Sequence, residues 1–164
     1  RQIAAEAGLS VPGLYHHYES KGAILEALCE LAMDELLTAS RRAMQAGTTT
    51  LERFDHLISC LVQFHAEHGD IAFVTYSEIR SLPDDARERH LQARREEQAM
   101  VTGLVEQGVA EGLFATPHPR ESALAIGTLC VGISQWYRAD GPLTVPELID
   151  VYLDLCKDTA RIVR

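Results

Sequence analysis

The chain has 164 residues, 46% of them hydrophobic and 24% charged, and its 15 Lys+Arg against 24 Asp+Glu give a formal charge of −9. Plentiful aliphatic residues, scattered Gly and Pro and four Cys exclude a disordered tract, a collagen-like repeat and a disulfide scaffold, and the length suits one compact domain or one with a small appendage. The acidic balance argues against coating nucleic acid over the whole surface, so any DNA contact must be a local patch.

No run of β-branched alternation bounded by turn residues occurs, whereas helical spacing recurs from end to end, so the chain reads all-α. At the start, Ile3, Ala4 and Ala7 mark the apolar side of a short helix ending at Gly8. Leu9 and Ser10 make a turn, and Ser10 caps a second short helix with Val11, Leu14 and Tyr18 at i, i+3, i+7 on its inner side. Two short helices joined by such a turn form a helix-turn-helix, whose second helix enters the DNA major groove.

The run AAEAGLSVPGLYHHYESKGAILEAL resembles the DNA-binding half of TetR-family transcriptional regulators. The resemblance rests on Ala7, Gly8, Leu9 and Ser10 in the turn, Leu14, Tyr15, His16, His17 and Tyr18 in the recognition helix, and Ser20 and Lys21 opening the next helix. It implies that Val11, Pro12 and Gly13 face base edges, that Tyr15 and His17, beside His16, contact phosphates and the groove, and that Lys21 binds a phosphate. The chemistry agrees: Tyr, His and Lys suit phosphate oxygens, and Pro12 and Val11 can touch thymine methyls. Leu14 and Tyr18 are read as core. Within residues 1–22, Arg1 and Lys21 balance Glu6 and Glu19, so this half carries no net charge. The resemblance also implies a further helix and a basic arm ahead of Arg1, with the sequence beginning part-way through that unit.

From Ser20, which can cap a helix, Leu25, Leu28, Ala32 and Leu36 recur along one face until Gly47. Thr49 with Glu52 forms a capping box ahead of Leu51, Phe54, Ile58, Leu61 and His65 on one stripe, which stops near Gly69. His65 and His68 share a face; without a Cys or carboxylate set nearby they read as dipole caps, and no metal or cofactor is expected. Asp70 can cap a helix over residues 71–82, apolar all round and therefore expected to be internal, with Glu78 and Arg80 needing partners or a ligand.

Pro83, Asp84 and Asp85 start the next helix. Its charge-rich stretch, residues 87–97, reads as solvated, while Met100, Val101, Leu104 and Val105 form an apolar face running to Gly112. Beyond Pro117, His118 and Pro119, an apolar helix runs from 120 to about 138, its Ala123, Ala125, Gly127, Gly132 and Ser134 letting another helix approach. Its most apolar part, residues 123–133, is far short of the roughly 20 residues that span a bilayer. After Asp140, Gly141 and Pro142, a second capping box, Thr144 with Glu147, opens a helix carrying Leu148, Tyr152, Leu155, Thr159 and Ile162. Cys29, Cys60, Cys130 and Cys156 form no Cys-x-x-Cys pair and sit in helical runs as core thiols of a reducing compartment. With no signal peptide at Arg1 and no span, a cytoplasmic protein without a membrane partner is expected.

The resemblance implies a helix-turn-helix portion over residues 1–22 and a helical effector-binding and dimerisation domain over 23–164. The last two helices would make a homodimer that reads a palindromic double-stranded operator with recognition helices roughly 34 to 36 Å apart. The segments SEIRSLPDDARERH and SQWYRADGPL look like the acyl-CoA-responsive branch of the family, which implies a hydrophobic effector and ligand roles for Phe73, Tyr76, Arg80, Trp136 and Arg138. Trp136 as plain core and Arg138 as a partner of Glu78 or of the helix end stay open beside that reading. The function expected is a ligand-responsive transcriptional repressor. No catalytic constellation is visible, and an all-α enzyme or binding module for a hydrophobic metabolite without DNA binding is the alternative.

Overall fold

The structure is a computed structural model and describes residues 18–163. Among these, six α-helices follow in order: α1 (Lys21–Ala46), α2 (Thr50–Glu67), α3 (Gly69–Ser77), α4 (Asp84–Ala110), α5 (Pro119–Trp136) and α6 (Val145–Ala160), with a 3-10 turn (Ile79–Ser81) between α3 and α4. The all-α expectation holds. The only extended pairing among the described residues is an isolated antiparallel bridge between Phe114 and Ile162.

Caps explain where the helices begin. The Ser20 hydroxyl accepts from the Ala23 N–H at 3.1 Å and starts α1. Thr49 and Glu52 form the expected capping box of α2, and the Glu52 carboxylate also accepts from the N–H (2.8 Å) and hydroxyl (2.6 Å) of Thr48. These donors stabilise the charged form and hold its pKa down to about 2. Thr144 and Glu147 repeat the device at α6. At the far end of α4, Gly112 takes φ 73°, and the Leu113 N–H donates back to the Gly108 carbonyl at 2.8 Å, which turns the chain sharply.

Helix α2 packs against α1, α4, α5 and α6 and so lies at the centre. Its Phe54, Leu57, Ile58, Leu61 and Val62 are almost fully buried, with Val101 and Val105 of α4, Ile126 and Ile133 of α5 and Leu148 of α6 closing round them. Lys157 of α6 donates to Asp55 of α2 at 2.8 Å, a half-buried pair along the same contact. Near its start, α1 keeps a separate small cluster: Ile24 with Tyr18 and Leu28, which agrees with the core role read for Tyr18. Cys29, Cys130 and Cys156 are buried and Cys60 half-buried, none in a disulfide.

Two expectations need correction. The apolar segment 71–82 is not one helix, and of its apolar side chains only Leu82, beyond α3, is buried. Asp70 lies inside the first turn of α3 rather than capping it, the helix ends at Ser77, and Ile71, Phe73, Val74 and Tyr76 are exposed, leaving Thr75 as its buried residue. Its small Ala72 and Thr75 face α1 and α5, so the bulky side chains between them are turned outward. Glu78 and Arg80 are correspondingly exposed, and Glu78 accepts from the Ser81 hydroxyl at 3.1 Å. The charge-rich stretch 87–97 is also not wholly solvated: His90 and Glu97 are buried, because the stripe of α4 that faces α1 and α2 continues through them.

Candidate functional site

Helices α4 and α5 lie close along much of their length, and small residues set the approach. A Cβ added at Gly127 would stand 2.3 Å from the Gln98 Oε1, and Gln98 donates to the Ala123 carbonyl at 3.0 Å. Alongside this contact the two helices enclose an open groove of about 1000 Å³. Its apolar wall is made by Leu91, Ala99, Leu124 and Val131, and its cationic rim by Arg94, Arg95 and Arg120. Arg95 is held by Glu88 (2.8 Å) and Arg120 by Glu106 (3.1 Å), while the Arg94 guanidinium lies over the Tyr76 ring at 5.0 Å from its centre. An apolar trough rimmed by guanidinium groups suits a ligand with a greasy body and an anionic head.

Of the five side chains predicted to meet an effector, Tyr76 borders this groove. Phe73 and Arg138 line a neighbouring cleft of about 700 Å³ between the start of α3 and the end of α5, and Gln135 is a wall of both. Arg80 stands exposed on the 3-10 turn. Trp136 is half exposed at the end of α5, edge-on to Tyr137, so it is not plain core. Arg138 donates to the Tyr137 carbonyl at 2.8 Å, and no pairing with Glu78 forms. The five are thus spread over two adjoining clefts and their surroundings. Arg94, Glu97, Gln98 and Arg120, which also line the groove, are not among the five.

Glu97 is the unusual group. It is 9% exposed, and burial pushes its carboxyl up to about 7 against the pull of nearby Arg94. Burial pushes His65 and His90 the other way, towards the neutral ring. His65 makes a 2.8 Å hydrogen bond from Nδ1 to the Leu61 carbonyl, and His68, the C-cap of α2, stacks on Phe64. No group of three or more His, Cys, Asp or Glu is placed to hold a metal among the described residues.

Of the DNA-binding set, Lys21 is described: it opens α1 with its side chain exposed. Val11, Pro12, Gly13, Tyr15, His16 and His17 lie outside the described residues.

Comparison with known proteins places this geometry. The family model for bacterial regulatory proteins of the tetR family matches residues 1–28, and that for the tetracyclin repressor-like C-terminal domain matches residues 47–159. The chain belongs to the TetR family. Among its relatives is the HTH-type transcriptional repressor KstR2 of Mycobacterium tuberculosis, 30% identical over 158 residues, which cover 93% of this chain and 78% of that protein. Among solved structures, a TetR-family regulatory protein from Rhodococcus RHA1 superimposes with TM-score 0.89 at 24% identity, covering 100% of this chain and 86% of the other. AibR in complex with isovaleryl coenzyme A and operator DNA superimposes with TM-score 0.81 at 20% identity over 94% and 84% of the two chains, a likeness of fold.

The TetR family is one of DNA-binding transcriptional regulators that dimerise and answer to small molecules, and the matched KstR2 relatives are repressors rather than enzymes. The enzyme alternative therefore gives way to a helix-turn-helix regulator with a helical ligand-binding domain. Among the described residues of this TetR-family chain no helix is long and apolar enough to cross a membrane. Helix α1 begins within the N-terminal family match and packs on α2 and α4.

Proposed function

We propose that the chain is a dimeric repressor of a palindromic operator, released by a hydrophobic effector with an anionic head, an acyl-CoA thioester being the best fit. The groove between α4 and α5 carries this reading, because its apolar wall and its Arg94, Arg95 and Arg120 rim match the two ends of such a molecule. The coenzyme A ligand of AibR, a protein of the same fold, supports the choice. Tyr76 lies at the groove, and Phe73 and Arg138 extend the path through the adjoining cleft, with Arg80 and Trp136 flanking it.

In the division favoured here, residues 1–22 read DNA and residues 23–164 bind effector and dimerise, with Val11, Pro12, Gly13, Tyr15, His16, His17 and Lys21 facing the duplex. A protein with this role works where bacterial DNA lies, in the cytoplasm. The dimer surface is the outer side of α5 and α6, where Val151 (44% exposed) and Leu155 (45%) of α6 leave an apolar face open to solvent. Changing Leu155 to Lys should convert a dimer into a monomer in sedimentation at micromolar concentration; a dimer that persists unchanged assigns the contact elsewhere.

Operator retardation by the full-length protein tests the reading head. Tyr15→Ala and Lys21→Ala should each weaken binding, and Lys21→Ala should also lower the slope of log affinity against log salt by about 2, as expected for one lost phosphate contact in each subunit of the dimer. Unchanged retardation by both variants removes the assignment. Added acyl-CoA should release the complex, and a simple inorganic anion should not.

A further inference from the structure

Behind the groove lies a second, smaller chamber of about 50 Å³, which shares Tyr76, Arg94, Glu97 and Val131 with it as common walls. Most of its lining is apolar, with Met33, Leu36 and Phe64 among the walls, but four buried polar residues reach it: His65 from α2, Thr75 from α3, and His90 and Glu97 from α4. Their hydrogen bonds are only partly spoken for. The His65 Nδ1–H donates to the Leu61 carbonyl, which leaves Nε2 as an acceptor. The Thr75 hydroxyl donates to the Ala72 carbonyl at 3.0 Å and keeps its lone pairs. The His90 Nδ1 is buried with no partner among the described residues.

A buried polar atom left unpaired is costly, so the His90 ring nitrogen, beside the other three polar groups, calls for a polar guest. A carboxylate guest would crowd Glu97, and an ammonium would meet Arg94 at the entrance. A methyl group would leave the His90 Nδ1 unsatisfied. A hydroxyl or ketone oxygen fits, since the walls offer acceptors on the two rings and a carboxyl that can hold a proton.

We propose that this chamber is the selectivity subsite of the groove, where His65, His90 and Glu97 take a single neutral oxygen function carried on the apolar part of the effector. The proposal rests on the groove's being the effector site but not on the effector's being a thioester. The test uses the full-length protein. Calorimetry with decanoyl-CoA and its ω-hydroxy counterpart should show about tenfold tighter binding of the hydroxylated ligand, the worth of one well-made hydrogen bond, and His90→Phe should erase the difference. A second measurement needs neither thioester nor variant: nitrogen-15 spectra of the wild-type histidine rings, recorded with cyclohexanol and with methylcyclohexane. Cyclohexanol should move the His65 and His90 signals, and methylcyclohexane should leave them in place. If neither thioester binds while cyclohexanol still moves both rings, the thioester reading of the groove fails and the subsite stands. Equal affinity of the two thioesters for the wild type, or rings that ignore cyclohexanol, shows a chamber filled by water alone and overturns the subsite.

Discussion

Truncating Phe54 to Ala is expected to destabilise the protein by about 3–5 kcal/mol, the cost of emptying a well-packed aromatic site. Phe54 is 1% exposed at the centre of the bundle, and its ring meets that of Phe114 edge-on at 5.1 Å between centres. Phe114 in turn lies on bare backbone, because a Cβ at Gly108 would stand 2.3 Å from its ring. The segment holding Phe114 is fastened to the tail after α6 by two hydrogen bonds of 2.9 Å, Ala115 N–H to the Arg161 carbonyl and Val163 N–H to the Leu113 carbonyl. With so little freedom the site cannot collapse on the hole, which places the loss towards the upper part of the range. Urea unfolding at one fixed protein concentration reads it, since dimerisation makes apparent stability concentration-dependent. A loss below about 1 kcal/mol would mean that the site relaxes and the packing is looser than its burial indicates.

Exchanging Glu97 for Gln should have the opposite sign, and only above acidic pH. The folded state raises the carboxyl from its ordinary 4.5 to about 7, so it binds the proton more tightly than the unfolded chain does. Its contribution is therefore favourable below pH 4.5 and is lost as pH rises through 7. The shift bounds the loss at about 3 kcal/mol. Groups around it come from four elements: Cys60 and His65 on α2, Thr75 and Tyr76 on α3, His90 and Arg94 on α4, and Cys130 on α5. The two histidines act in the reverse sense, since depressed values make them costly as pH falls below 6.5, but they are common to both proteins and largely cancel in the difference. Paired urea melts should show Glu97→Gln nearly equal to wild type at pH 4.5 and more stable at pH 8. A gap that does not grow with pH would show that Glu97 is ionised and well solvated throughout.

What the sequence disclosed follows from how local each signal is. Helix starts depend on neighbours three residues apart, so Ser20, the Thr49–Glu52 box and the Thr144–Glu147 box were all readable and all form. Burial depends on what lies opposite, which is why residues 71–82 misled: their hydrophobicity was plain, but nothing local says that Phe73 and Tyr76 border clefts instead of filling a core. The groove left a mark that could have been used. Carrying the Val101 and Leu104 stripe back along α4 by steps of three and four lands on Glu97, His90 and Ala86, all buried, and a carboxylate and an imidazole at apolar positions signal a polar interior site. The arginine rim could not be foreseen, because Arg94 and Arg95 meet Arg120 only when α4 and α5 come together.

The length of α1 sets how finely a bound molecule can be reported to the duplex. Its 26 residues make a rod of about 39 Å at about 1.5 Å each. Arg89 of α4 grips Glu26 and Glu30 within the first turns of that rod. Swung as a lever about its distal end, such a rod carries its tip about 3 Å for a tilt of roughly 5°. That is close to the rise of one base pair, about 3.4 Å per strand step. In the proposed dimer, a tilt of this size is thus enough to put the two reading heads out of step with two half-sites.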